Sequence, residues 1–332
     1  MSNSPKITIF ACGGAGINVA RYLQKTEPTL MSHVDVVRMD SSESNTRSDE
    51  EVHQVVPPSV ASGAGKVRAS LSDPVNKHIV ALENDTLKAG DINIVVFSLG
   101  GGTGSVVGPL LIRELEKRGH KTTAATVGSS DSQLAITNTL NTLRSLTAIC
   151  DKNKIYLPIQ VFDNSYGRNI VDATLSHRLV VLIMMLSNNT FELDRTDKIN
   201  WLNSQFTLGV SPGLRPLHVA AGKYDEADDS SEVWVHTDTD IVDAIMTIGI
   251  PNEADPEKPA AYVEENTLKA RVRYSGIFTN TLTPALGIVG GRSDEIVKTY
   301  QMRRDTYETQ RPPENIIQVD DETVDDGTGL VL

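Results

Sequence analysis

The sequence predicts an α/β protein with a mostly parallel sheet covered by helices on both faces. Three observations carry that reading. Apolar runs of strand length alternate with helix-length segments through the first half of the chain. Glycine-rich loops follow two of the apolar runs directly. A stretch from about Arg168 to Ser187 holds neither proline nor glycine, which suits one continuous helix.

Taken in order, Lys6 to Ala11 reads as a strand, a glycine turn follows, and a helix runs from about Asn18 to Gln24. Val34 to Met39 is the next strand and ends in Asp40. Residues 41–66 carry Pro57-Pro58 and Ser62-Gly63-Ala64-Gly65 and read as an extended loop. Residues 73–88 suit a helix. Ile92 to Leu99 is a strongly apolar strand that runs into Gly100-Gly101-Gly102. Residues 105–118 place Val106, Leu110, Leu111 and Leu115 on one helical face. Lys121 to Val127 is strand, 131–150 helix, and Ile155 to Phe162 strand. Beyond residue 205 the pattern changes to short runs broken by proline and glycine. Glu232 to His236, Ala270 to Tyr274 and Ala285 to Val289 suit strands of a smaller, mixed α+β region, interrupted by the acidic stretch Asp225 to Glu232. A charged helix from about Ser293 ends near Gln310, because Pro312-Pro313 cannot continue it. Glu314 to Leu332 is acidic and closes on Leu330-Val331-Leu332.

Composition excludes several classes. The chain has 332 residues, 39% of them hydrophobic, enough for one large core or two ordinary ones. A net charge of -12 repels phosphodiester backbones, so direct nucleic-acid binding is not expected. Cys12 and Cys150 are too few and too far apart for a disulfide framework or a CxxC metal site, and fit a reducing cytoplasm as buried apolar residues. The strand-length run Ile7 to Phe10 is not signal-length. No stretch approaches the roughly 20 apolar residues of a membrane span, so no membrane partner is expected, and Leu179 to Leu186 reads as part of a buried helix.

The chemistry sits in the glycine loops. Gly13-Gly14-Ala15-Gly16, followed by Asn18, and Gly100-Gly101-Gly102-Thr103-Gly104-Ser105 each join a strand to a helix. Such loops let backbone amides approach an anion, and the helix N-terminus adds about half a positive charge. Gly14-x-Gly16 partly matches a dinucleotide fingerprint, with Val19 at the third glycine and Asp40 at a suitable distance; alone it is equally a tight turn. No GxxxxGK[ST] loop is present. Consecutive glycines at 100–102 cost chain entropy that a simple turn does not need.

Gly100-Gly101-Gly102-Thr103-Gly104-Ser105 resembles the signature of the tubulin/FtsZ superfamily, with Val106 where the family has a last glycine. The other loops resemble the family in order: Gly13 to Gly16 as the first phosphate loop, Asp40-Ser41 as the turn after the second strand, and Gly63-Ala64-Gly65-Lys66 as the loop that senses the γ-phosphate. Asn164 and Asn169 resemble base- and ribose-contacting positions, with Asn138 and Asn141 weaker candidates near the sugar. Asp194 and Asp197 match the family's NxDxxD synergy loop, with Glu192 in place of its Asn; by itself such a segment is usually a helix cap. The match extends over about residues 6–205. Ser98 to Leu111, Leu193 to Trp201 and the acidic end resemble the phage branch.

The resemblance implies a Rossmann-like GTP-binding domain over residues 1–167, a central core helix over 168–190, the synergy loop and a second, activation domain over 191–292, a C-terminal helix over 293–311 and an acidic tail over 312–332. It implies a GTPase whose ligands are GTP/GDP and Mg²⁺, with few direct protein ligands to the metal. It implies a head-to-tail filament in which Asp194 and Asp197 act on the neighbour's nucleotide and in which Asp320, Asp321, Glu322, Asp325 and Asp326 dock on another subunit. Arg271, Arg273, Arg292, Arg303 and Arg304 are candidate basic partners. The implied role is to position phage DNA in the infected bacterium's cytoplasm. Two alternatives remain within the family: a plasmid-partition filament, and a structural protein that binds GTP without hydrolysing it. A nicotinamide-dependent dehydrogenase, from another class, explains the first loop and Asp40 but neither the second loop nor Asp194-x-x-Asp197.

Overall fold

The computed structural model describes residues 4–56, 68–83, 87–187, 192–225, 230–232, 241–249, 269–276 and 284–310. The loop Gly63 to Lys66, most of the Glu232 to His236 run and the acidic tail lie outside the described residues.

Strand β1 (Ile7–Cys12) passes directly into α1 (Gly13–Thr26), so the first glycine loop is the opening turn of the helix rather than a linker before it. After α2 (Pro28–Met31) comes β2 (Val34–Asp40), then a short 3-10 turn (Glu43–Asn45) and β3 (His53–Gln54). Helix α3 (Ala69–Ala81) starts earlier than its apolar spacing suggests. Strand β4 (Ile92–Ser98), α4 (Gly104–Lys117), β5 (Lys121–Gly128), α5 (Gln133–Asn153) and β6 (Tyr156–Asp163) follow. Helix α6 (Arg168–Ser187) has the expected span. Short helices α7 (Arg195–Leu202) and α8 (Gln205–Leu208) lead into β7 (Gly213–Ala221). Strands β8 (Lys223–Asp225) and β9 (Ser230–Glu232) pair as a separate ribbon across the acidic stretch. The described chain then supplies β10 (Ile241–Ile248), β11 (Lys269–Gly276), β12 (Ala285–Gly290) and α9 (Glu295–Gln310).

The main sheet has the order β11-β10-β12-β7-β6-β5-β4-β1-β2-β3. From β3 to β7 every pair is parallel, whereas β12 runs antiparallel to both β7 and β10. Strand β7 joins the two parts. Its Gly213 to Pro216 pair with β6, and its Leu217 to Ala221 pair with β12. The strands of the mixed region therefore extend the first sheet.

Side-chain alternation explains the layers. Ile7 and Ile9 of β1 and Ile92, Ile94 and Val96 of β4 enter the core shared with α1 and α6. Phe10, Cys12, Val95 and Phe97 point to the other face, among residues of α3, α4 and α5. A strand buried on both faces needs apolar or hydrogen-bonded residues at every position, and β1 is buried throughout, with Thr8 Oγ1 donating to the Lys88 carbonyl. By length and composition α6 could cross a membrane, with mean hydropathy 1.6. In the fold its Val171, Leu175, Leu179, Leu182 and Leu186 lie in the core.

Candidate functional site

A cavity of about 450 Å³ opens at the carboxyl ends of β1, β4, β5 and β6, the end of a parallel sheet where ligands bind. Gly13, Gly14, Ala15, Asn18, Asp40, Gly100 to Gly104 and Asn164 line it. Both glycine loops reach it because their backbones touch. Gly13 has φ +70°, and a Cβ there would lie 2.8 Å from the Gly104 amide nitrogen. A Cβ on Gly104 would lie 2.8 Å from the Cys12 carbonyl oxygen. Side chains at either position would push the N-termini of α1 and α4 apart. Neither helix has a side-chain cap, so no N-cap side chain occupies their first-turn amides.

The second loop is held from behind. Thr142 donates to the Leu99 carbonyl at 2.8 Å, and the Ser105 hydroxyl bonds the Gly101 and Gly102 carbonyls at 2.6 and 2.9 Å. In a trans peptide the N–H points opposite to the C=O. With those carbonyls tied to Ser105, the Gly102 and Thr103 amides lie on the opposite side of their peptides. Ser105 is thus a buried brace outside the lining, and the Thr103 hydroxyl is bonded to that of Ser41. Asn138 lies behind the loop too, with its amide 3.5 Å from the Gly100 carbonyl. Gly16 is buried where α1 crosses β4, a Cβ there falling 2.3 Å from the Val96 carbonyl oxygen.

Asp40 accepts from the Ser41 amide and from Asn45 Nδ2, both at 2.7 Å, which fixes the turn after β2. Arg21 braces the same turn through the Asn45 carbonyl and a pair with Glu50, whose carboxyl that hydrogen bond holds below its ordinary range. The Cys12 thiol at the cavity floor is pushed up by burial and then by the Asp40 charge, so it stays protonated. Burial raises the Cys150 thiol to about 12.

Asn141 and Asn169 are exposed and do not line the cavity. Residues that sequence reasoning passed over do: Ser42, Ser44, Asn45, Ser129, Asp131, Arg168 and Asp172. Arg168 and Asp172 are four residues apart on α6 and share a face, whereas Asn169 is turned about 100° away. That spacing was the available signal. Arg168 lies 3.6 Å from Asp131 across the cavity mouth. Burial raises the Asp172 carboxyl, and Arg168 partly offsets it. Asn164 Oδ1 is buried and has no hydrogen-bond partner, as an amide kept for a ligand would be.

Asp194 and Asp197 stand at the other end of the sheet. They form a capping box on α7: Asp194 Oδ1 accepts from the amides of Thr196 and Asp197 at 2.7 and 2.9 Å, and Asp197 accepts from the Asp194 amide at 3.2 Å. Arg195 pairs with Asp91, next to the amino end of β4. Trp201 anchors the helix; it is fully buried, and a Cβ on Gly287 of β12 would lie 2.2 Å from its ring. The cavity is at the carboxyl end of β4, so the strand's seven residues, about 20 Å, separate the two.

No protein-family model matches the chain. It is 28% identical over 270 residues to the phage tubulin-like protein of Pseudomonas phage PhiPA3, covering 76% of this chain and 81% of that one. The solved structure of the phage tubulin PhuZ with GDP matches with TM-score 0.74 at 22% identity, over 97% of this chain and 98% of that one. The protofilament of TubZ from bacteriophage PhiKZ matches with TM-score 0.73 at 22% identity, over 96% and 97%. With this sheet order and two glycine loops meeting at its carboxyl end, the chain has the fold of these phage tubulin structures and is similar in sequence to the phage tubulin-like protein.

Proposed function

We propose that this chain is a filament-forming, tubulin-like phage protein that binds GTP and hydrolyses it where successive subunits meet. One arrangement carries the reading: a cavity built from two uncapped helix N-termini lies at one end of the sheet, and the Asp194/Asp197 segment at the other. A subunit cannot bring its own aspartates to its own cavity. A head-to-tail neighbour can.

In this reading the Gly102 and Thr103 amides and the first turns of α1 and α4 hold phosphate oxygens. Asn164 and Asp172 meet the base. An ionised carboxylate only accepts hydrogen bonds, which suits the N1–H and 2-amino group of guanine and not the edge of adenine. Asp194 and Asp197 of the next subunit orient the attacking water, so turnover follows assembly. Mg²⁺ carried in with the nucleotide would supply neutralisation of phosphate charge, with few ligands from the protein. The Asp40 carboxylate, already tied to Ser41 and Asn45, holds the turn rather than a metal. The GDP in the PhuZ structure and the protofilament of TubZ support both halves of the reading by family. Positioning of phage DNA rests on the resemblance alone.

The test combines thermal shift with GTP, GDP, ATP and NAD, electron microscopy with and without GTP, and phosphate release against protein concentration. Stabilisation by guanine nucleotides alone, GTP-dependent filaments and cooperative turnover are expected. Equal stabilisation by ATP, or by NAD, rejects the proposal.

A further inference from the structure

Helix α9 reaches the cavity wall through one carboxylate. Asp163 ends β6; its Oδ1 accepts the Ser165 amide at 2.8 Å and the Ser130 hydroxyl at 3.1 Å. Its Oδ2 accepts the Tyr300 hydroxyl at 2.6 Å and the Arg303 guanidinium. Arg303 also lies over the Tyr300 ring, 5.0 Å from its centroid. Tyr300 is 3% exposed, and its hydroxyl sits over Gly128, where a Cβ would lie 1.9 Å from it. The immediate neighbours of these anchors belong to the cavity: Asn164 follows Asp163, and Ser129 and Asp131 flank Ser130. The carboxylate that caps the turn carrying Asn164 therefore also holds α9.

We propose that Tyr300 and Arg303 are positioning residues for the nucleotide site, acting through Asp163 on Asn164 and the Ser129 to Asp131 loop, so that nucleotide occupancy and the seating of α9 are linked. The inference rests on reading the cavity as a guanine-nucleotide site. Linkage of this kind is reciprocal: a nucleotide that orders Asn164 also holds α9, and loosening α9 weakens the nucleotide by the same factor. The chain continues from α9 into residues 311–332, so the clamp gives that segment a route to the nucleotide.

The test uses the full chain below its assembly concentration, with Tyr300→Phe, Arg303→Gln and the charge-conserving Arg303→Lys. GDP affinity and hydrogen exchange of α9 with and without GDP are measured, alongside thermal unfolding. Tyr300→Phe and Arg303→Gln are expected to raise the GDP dissociation constant about tenfold, inside the usual range for coupled sites. Arg303→Lys recovers most of the loss. GDP slows exchange of α9 in the unaltered chain and much less in Tyr300→Phe. Unaltered affinity in both variants overturns the proposal while leaving the nucleotide reading intact. So does GDP that leaves α9 exchange unchanged in the unaltered chain, a measurement that needs no variant to fold. An unaltered chain that binds no guanine nucleotide overturns both.

Discussion

Replacing Asp194 by Asn separates a catalytic role in trans from a structural one. Asp194 caps α7 through Oδ1, and Asn is as good an N-cap as Asp, so the helix stays in place; Ala would forfeit about 1 kcal/mol. The subunit's own phosphates lie about 20 Å away, the length of β4. At that distance in water a unit charge contributes about 0.2 kcal/mol per phosphate charge. Screening at physiological ionic strength, with a Debye length of about 8 Å, reduces this roughly tenfold. GTP affinity of the dilute monomer should therefore change less than about twofold, since 1.4 kcal/mol is needed for tenfold. On the proposed reading, the same change at the neighbour's cavity removes a group aimed at the attacking water. Losses of single transition-state contacts of this type run about 2.7–4 kcal/mol, or about 10²–10³ in turnover. Equilibrium GTP binding and phosphate release are measured on the same preparation. Subunits carrying Asp194→Asn are then mixed with subunits whose cavity is blocked by Gly104→Val. The mixture should regain turnover, because each supplies what the other lacks. Normal turnover by the Asn variant, or a monomer affinity changed several-fold, refutes the reasoning.

Gly104→Ala places a Cβ 2.8 Å from the Cys12 carbonyl oxygen and 3.2 Å from the Ser98 amide. Overpacking of this kind costs about 1–3 kcal/mol, and by prising α1 and α4 apart it should weaken GDP binding in titration as well as lower the melting temperature. Burial alone would raise the Asp163 carboxyl, but the bonds from Tyr300 and Ser165 and the Arg303 charge outweigh it and hold the folded pKa low. A depressed carboxyl stabilises above the unfolded value, about 3.9, and the contribution is lost as pH falls through the folded one. Protection of α9 against exchange, taken relative to the intrinsic amide rate at each pH, should therefore fall below about pH 4, and Asp163→Asn should remove that acid dependence. Deleting residues 314–332 should raise the critical concentration in pelleting assays while GTP affinity holds, and higher salt should weaken assembly of the full chain through screening.

Much of the fold was legible because its signals are local. The continuous apolar runs of β1 and β4, glycines at the strand–helix junctions and the unbroken run of α6 are patterns within a few residues. The same holds for Asp194-x-x-Asp197, whose capping box is closed within four residues. Both glycine loops could be named from sequence, but that Gly13 and Gly104 touch follows only from β1 and β4 lying side by side. The choice between Asn169 and Asp172 was one of helix phase: a residue step turns a side chain by about 100°, and the phase of α6 is set by which of its faces the sheet buries. Nor could sequence place the capping box and the cavity at opposite ends of β4, or reveal β7 as the strand joining both parts of the sheet. Those facts are strand pairings and packing between residues distant along the chain. No local pattern encodes such pairings, because their free energy comes from the partner each element finds.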